Sequence, residues 1–433
     1  TEGNGKYRLT LVSESIAPWE NDLQSHDATS MEYVIINSTA GHLKDSIVAS
    51  HKDIAMVKRM KVTGTINVYD FIIMRDSMPK LTALNLKDVR IKRVYNYTVG
   101  GVEYWTDYAE DDVLPFNSFT GKRTLTSFVF PDVLNRIDVG AFAGAGLKGS
   151  LNIPEGVVEI GPGAFIDNDF TGILTLPSTL KKIGSGAFRE CCFICPLNLP
   201  DGIEEIGSVC FENCRYLYGN LTLPSHLKKL GSAAFAKCSG LKGDLVIPKS
   251  LTVIPSDAFN ACGLGGRLQL HDGITTIGNG AFGHNGFKGE LDLPKSLTEL
   301  GGNNFWGNYF SGSLKIPKGL TNISEEAFSN CTFEGEVEIP EGITYIHKRA
   351  FIASENLQKV ILPSSLEFID EYAFWYCKSL RVIECKSTVP PVVNSTAFDK
   401  VPLEDLTVIV PKSALNDYKS SESWSGFKHI IAK

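Results

Sequence analysis

The sequence predicts a solenoid: a strand-dominated α/β coil with one short strand per turn, short helical turns, and a cap at each end. Three observations carry this. Phenylalanine stands at 119, 142, 165, 188, 211, 235, 259, 282, 305, 328, 351, 374 and 398, so successive gaps are 23 or 24 residues. A proline lies eleven residues before the phenylalanine in ten of eleven regular repeats, from Pro131 to Pro363, with His271 as the exception. In those repeats the residues three before, one before, three after and six after the proline are apolar, which with the phenylalanine makes 55 apolar residues at 55 positions. A chain that is 43% apolar does not do this by composition. Units of this length cannot bury an apolar face alone, so they must stack.

Each element of the unit follows from its residues. Leu151, Asn152 and Ile153 alternate inward and outward, the period of a half-buried strand, and Pro154 ends the strand because it has no N–H for a ladder. Val157 to Ile160, then Gly161, implies a second extended piece or tight turn, followed by a short helical turn at Ala164 and Phe165. Alanine precedes the phenylalanine in nine of eleven repeats, which suits close backbone packing. With stacked strands ~4.8 Å apart, about fifteen turns give a rod or arc on the order of 70 Å long.

The organisation expected along the chain is an N-terminal cap at 1–54, irregular leading repeats at 55–120 with an inserted loop at 92–112, regular repeats at 121–385, and a final turn with a C-terminal cap at 386–433. In the first cap, 7–13 and 33–37 read as strands and 41–50 as a short amphipathic helix. At the far end, Leu415, Tyr418, Trp424, Phe427 and Ile430 supply the apolar cover that the last open coil needs.

Composition narrows the function. A net charge of -7 with scattered lysines offers no basic stripe for nucleic acid. No run of 18 apolar residues exists to make a transmembrane helix, and no signal peptide is visible. Six of the ten cysteines, 191, 214, 238, 262, 331 and 377, occupy one slot three residues after the phenylalanine, where Asn168, Asn285 and Asn308 substitute. A slot that takes either residue reads as an inward ladder bonding the neighbouring turn's backbone. In-register side chains point the same way, which argues against disulfides, and Cys192 with Cys195 lacks the second pair of a zinc site.

Catalytic signatures are missing. Gly278, Gly280 and Gly283 spell GxGxxG, but the same segment reads GPGAFI from Gly161 and GSGAFR from Gly184, so the match is a product of the repeat. The eight histidines are scattered, with no HExxH and no GxSxG. No enzyme, metal or cofactor is expected. The candidates for partner binding are residues outside the frame: Trp306, Tyr309, Trp375 and Tyr376 beside the phenylalanines; Tyr104, Trp105 and Tyr108 in the inserted loop; and Asp244, Arg267 and Glu290 on the outward row before the strand. Exposed aromatics are enriched in protein interfaces and sugar sites.

The joint LxIP, IG, AF and C/N elements, as in LTLPSTLKKIGSGAFREC from Leu174, resemble the BspA-like leucine-rich repeats of bacterial surface proteins, particularly of the Bacteroides group. The resemblance covers about 112–385, with agreeing flanks at 60–86 and 408–430. It implies a right-handed leucine-rich-repeat solenoid on the cell surface, extracellular, often held by a lipid anchor, although no anchor is visible here. It further implies adhesion to a host matrix protein, a cell surface or another bacterium. A carbohydrate-binding module and a structural surface scaffold stand as alternatives.

Overall fold

The computed structural model describes residues 33–99, 102–105 and 111–433. The chain winds into a parallel β-solenoid of about 17 turns with few helices. The alternation before each proline becomes a strand row, as where Lys148–Asn152 pairs in parallel with Asp169–Thr175, placing Leu151 beside Leu174. The second extended piece is also a strand row, two residues per turn. Val113–Leu114, Arg136–Ile137, Glu159–Ile160, Lys182–Ile183, Glu205–Ile206 and Lys229–Leu230 form one continuous parallel sheet. Its inward isoleucines are buried. Its outward residues alternate in charge, with Glu159 3.2 Å from Arg136 and 3.6 Å from Lys182.

The phenylalanines form a continuous column. All thirteen rings stack from Phe119 to Phe398, with neighbouring centroids between 5.1 Å (Phe374 to Phe398) and 6.1 Å (Phe282 to Phe305). Such pairs contribute about 0.5–1.5 kcal/mol each beyond the burial itself. A second apolar column, Phe170, Phe193, Leu217, Leu241, Leu264, Phe287, Phe310 and Phe333, runs beside it and is equally buried. The short helical turns take the form of hydrogen-bonded turns in which the residues two before and two after the phenylalanine adopt positive φ, such as Val209 (50°) and Asn213 (65°). That conformation costs a side-chain-bearing residue about 1–2 kcal/mol. It aims backbone N–H groups along the axis, so Phe211 donates to Ala234 O at 2.8 Å and Asn213 to Ala236 O at 2.9 Å.

Helices form the connections of the first coils. Strand β1 (Val34–Ser38) pairs with β2 (Arg59–Ile66), helix α1 (Leu43–Ala49) connects the two, and helix α2 (Val68–Asp76) follows β2. Asn67 and Asp70 form a capping box on α2, and the buried Asp70 also accepts the Leu43 N–H at 2.9 Å, tying the helices together. Phe71 of α2 meets the first ring of the column edge-on, 5.7 Å from Phe119. Strands β3 (Ala83–Asn85) and β4 (Val89–Ile91) follow, both parallel to β2. Inside the 92–112 insertion, β5 (Asn96–Val99) and β6 (Val102–Trp105) pair antiparallel as a hairpin. The expected strand at 7–13 lies outside the described residues. At the C-terminus, α3 (Leu415–Ser420) brings Tyr418 into the core and the 3-10 turn Glu422–Trp424 brings Trp424, whose Nε1 donates to Pro391 O at 2.8 Å.

Candidate surface for partner binding

The frame decides which side chains are available. The slot three after the phenylalanine is inward: the thiols of Cys191, Cys214, Cys238 and Cys262 donate to the carbonyl of the preceding turn's phenylalanine at 3.3, 3.0, 3.0 and 2.9 Å. Burial pushes these thiols up, and does the same to Cys377 and Cys385, which rise to about 12. They remain protonated and chemically quiet. Cys192 alone among the ten is exposed. Among the described residues no group of three His, Cys, Asp or Glu side chains is placed to hold a metal ion.

Asp244, Arg267 and Glu290 share one outward column on consecutive turns, each four residues before the proline slot. Asp244 Oδ1 accepts the Arg267 N–H at 2.7 Å. This close approach requires Gly266, because a Cβ there would overlap the Asp244 carboxylate and the Gly243 backbone. Glu290 lies close against Gly312, where a Cβ would stand 3.2 Å from its Cγ, whereas Arg267 is only in ordinary contact range of Gly289 at 3.9 Å. Glycine in the following turn thus makes room for the Asp244 and Glu290 side chains.

Upstream on the same face the polarity changes. Ile173, Ile194, Tyr216 and Tyr218 are 58%, 56%, 57% and 47% exposed, and Pro196 is exposed with them. The backbone places them side by side over three turns: Ile194 N–H donates to Gly172 O at 3.2 Å, Pro196 bridges Tyr218, and Tyr218 N–H donates to Cys195 O at 3.1 Å. Sequence reasoning missed this patch. The signal was there, as apolar residues in outward slots four to eight before the proline, where the period calls for polar ones.

The aromatics beside the column fall into separate places. His284 and the half-buried Trp306 are in contact across adjacent turns, centroids 4.2 Å apart at 60°, with His284 N–H donating to Trp306 O at 2.7 Å. Tyr309 is 61% exposed and lies over Gly286 on the turn that holds His284. Three turns on, Trp375 stacks on Tyr376 at 4.9 Å, and Lys378 Nζ sits 3.9 Å over the Tyr376 ring. That tyrosine face is already occupied by the protein's own cation. Tyr104 and Trp105 belong to β6, their backbones opposite Tyr97 and Asn96, whereas Tyr108 lies outside the described residues.

The profile of the BspA type leucine-rich repeat region matches residues 113–242, 218–333 and 308–419. Comparison with curated protein sequences finds no match. Among solved structures, a leucine-rich repeat protein from Bacteroides ovatus is similar at 23% identity, covering 81% of this chain and 91% of its own, with a TM-score of 0.48. A leucine-rich cell surface protein from Faecalibacterium prausnitzii aligns at 18% identity over 76% of this chain and 83% of its own, TM-score 0.34. A leucine-rich repeat protein from Eubacterium ventriosum aligns at 18% identity over 80% and 83%, TM-score 0.36. Among the described residues no helix is long and apolar enough to cross a membrane.

Proposed function

We propose, from the premise that the chain belongs to the BspA-type leucine-rich-repeat family, that it is a non-enzymatic cell-surface binding protein holding a macromolecular partner on the outward face of the row that precedes the prolines. Proteins of this family are usually surface-exposed or secreted. The observation that carries the reading is the contiguous face in which the exposed Ile173, Ile194, Pro196, Tyr216 and Tyr218 run into the charged column Asp244, Arg267 and Glu290. An apolar centre with a charged margin is the composition of a protein interface. The second strand row offers a contrast, since its Arg136, Glu159, Lys182 and Glu205 neutralise one another along the axis.

The test is binding of purified protein to a panel of matrix proteins, host cells and bacterial surfaces, with the double variant Ile194→Asp and Tyr218→Asp alongside. We expect a captured partner whose affinity falls at least tenfold in the variant while the melting curve stays in place. An empty panel, or a variant that binds as well as the parent, overturns the reading. A glycan partner is the second reading, favoured by Tyr309 lying open over Gly286 next to the His284 and Trp306 pair. Glycan-array hits lost in Trp306→Ala and Tyr309→Ala would move the function there.

A further inference from the structure

The column of turns ends in a pattern without its partner. From Phe119 to Phe374, nearly every turn passes two N–H groups forward, those of the phenylalanine and of the residue two after it. Phe188 donates to Cys210 O and Glu190 to Glu212 O, both at 2.9 Å; the last such pair is Phe374 to Ala397 O at 2.9 Å and Tyr376 to Asp399 O at 3.0 Å. No further turn follows Phe398. The C-terminal segment returns to cover its ring, with Phe427 at 5.5 Å, and Trp424 caps the open carbonyl of Pro391. Between the last turn and that segment lies a cavity of about 630 Å³, bordered by Val393, Ser395, Phe398, Asp399, Ser423 and Gly426 among others. Among the described residues the amide of the buried Phe398, on the cavity wall, has no hydrogen-bond partner; nor has the amide of the exposed Lys400 two residues on, nor have the exposed side chains of Ser395, Asp399 and Glu422.

A buried backbone N–H such as that of Phe398 is seldom left unpaired, and a half-open cavity of this size is in the range of ligand pockets. We propose that this notch docks a short peptide segment in the conformation of the repeat's own turn. Its two carbonyls, on alternate residues, take the Phe398 and Lys400 amides, and a basic side chain reaches the carboxylates of Asp399 and Glu422. The spacing favours a peptide over a saccharide. In every turn but those of Phe282 and Phe305 this donor pair is met by carbonyls two residues apart, as Ala187 O and Arg189 O meet Phe165 and Asp167. The site is separate from the outward strand face and does not depend on it.

The probe is acetyl-Gly-Ala-Phe-Arg-amide, the array's own Gly186–Arg189, titrated into the isotope-labelled full chain and followed by amide NMR. We expect saturable shifts at Phe398 and Lys400, binding at least tenfold weaker when the probe's arginine is replaced by glutamate, and loss of the shifts in Gly426→Trp. A Cβ on Gly426 meets nothing within 4 Å, and an unchanged melting curve verifies that the variant keeps its fold. Absence of saturable shifts overturns the proposal, leaving the amides to water alone. Shifts that survive Gly426→Trp overturn it as well. So does a neutral disaccharide that moves the same amides where the peptide does not.

Discussion

The turns carrying Cys191, Cys214, Cys238 and Cys262 and the turns carrying Asn285 and Asn308 fill one inward slot with different chemistry. In the cysteine turns the side chain makes one bond backward, as from Cys238 Sγ to Phe211 O at 3.0 Å. In the asparagine turns it both donates and accepts: Asn308 Nδ2 donates to Phe282 O of the preceding turn and Phe305 O of its own at 3.0 Å each, while Oδ1 accepts the preceding turn's Gly286 and Phe287 amides at 3.0 and 2.9 Å. What the slot demands is therefore one donor toward the previous phenylalanine's carbonyl. The additional bonds of asparagine satisfy amides that the cysteine turns satisfy by backbone alone, as Leu241 N–H does with Cys238 O at 3.1 Å.

The largest effect tests what the two blocks share. Phe235→Ala in the cysteine block and Phe305→Ala in the asparagine block should each cost about 3–5 kcal/mol in denaturant unfolding, by opening a cavity in a column that is fully buried at both places. A cost confined to one block would mean that the ring column is not a common core. The inner slot should then separate the blocks. Asn308→Ala strands the buried Phe287 amide and the part-buried Gly286 amide, while Phe282 O keeps Asn285 Nδ2 and Phe305 O keeps Cys331 Sγ, and we expect a loss of about 2–3 kcal/mol, against about 1 kcal/mol for Cys238→Ala, which removes one weak bond. Equal losses would show that the slot selects for volume and not for hydrogen bonding.

Much of this frame was legible in the sequence, and the reason is periodicity. Phe, Pro and the strand leucines recur because every turn sees the same neighbours, so one pattern repeated eleven times reveals both the coil and the inward ladder. The second apolar column from Phe170 to Phe333 escaped because repeats of 23 and 24 residues shift it relative to the preceding phenylalanine, and it keeps register only with the following proline. The positive-φ positions escaped because glycine marks only some of them; Val209, Ala233, Glu326 and Arg349 adopt the conformation with side chains that give no hint of it. The Ile173 to Tyr218 patch and the notch beyond Phe398 were illegible for a different reason. Both depend on which side chains different turns bring together, or on where the pattern stops, and a repeat says nothing of either.

Thiol reactivity sharpens the comparison further. In the native protein an aromatic disulfide reagent should modify Cys192 promptly and leave the other nine cysteines untouched until denaturation, since they are buried and those in the ladder slot are held protonated against carbonyls. Fast release of a second equivalent would place a ladder cysteine in a turn that opens locally. Repeating the assay in Asn308→Cys adds a thiol at the asparagine block's slot, and a protected new thiol would show that the two residues are interchangeable there.

The smallest effect comes from the outer edge, where turns on both sides of the asparagine block use the same device. Glu155, Asp201 and Glu341 each grip the following turn: Glu155 accepts the Ser178 N–H and hydroxyl, both at 3.0 Å, Asp201 does so with Ser225, and Glu341 with Ser364. Hydrogen bonds from those serine backbones hold all three carboxyls below the usual carboxylate range. A carboxyl that is more acidic in the folded chain stabilises it fully above the unfolded value. That stabilisation is lost as pH falls through the folded value, so the window lies below about pH 4. The combined variant Glu155→Gln, Asp201→Asn and Glu341→Gln should therefore show a shallower fall in melting temperature across that window than the parent, by a modest margin because the groups are exposed. Asp201 belongs to the cysteine block and Glu341 lies beyond the asparagine turns, so the single variants should flatten the acid slope alike. A difference between them would mean that the inner slot reaches the outer clamp, and that the turns are coupled across their width as well as along the axis.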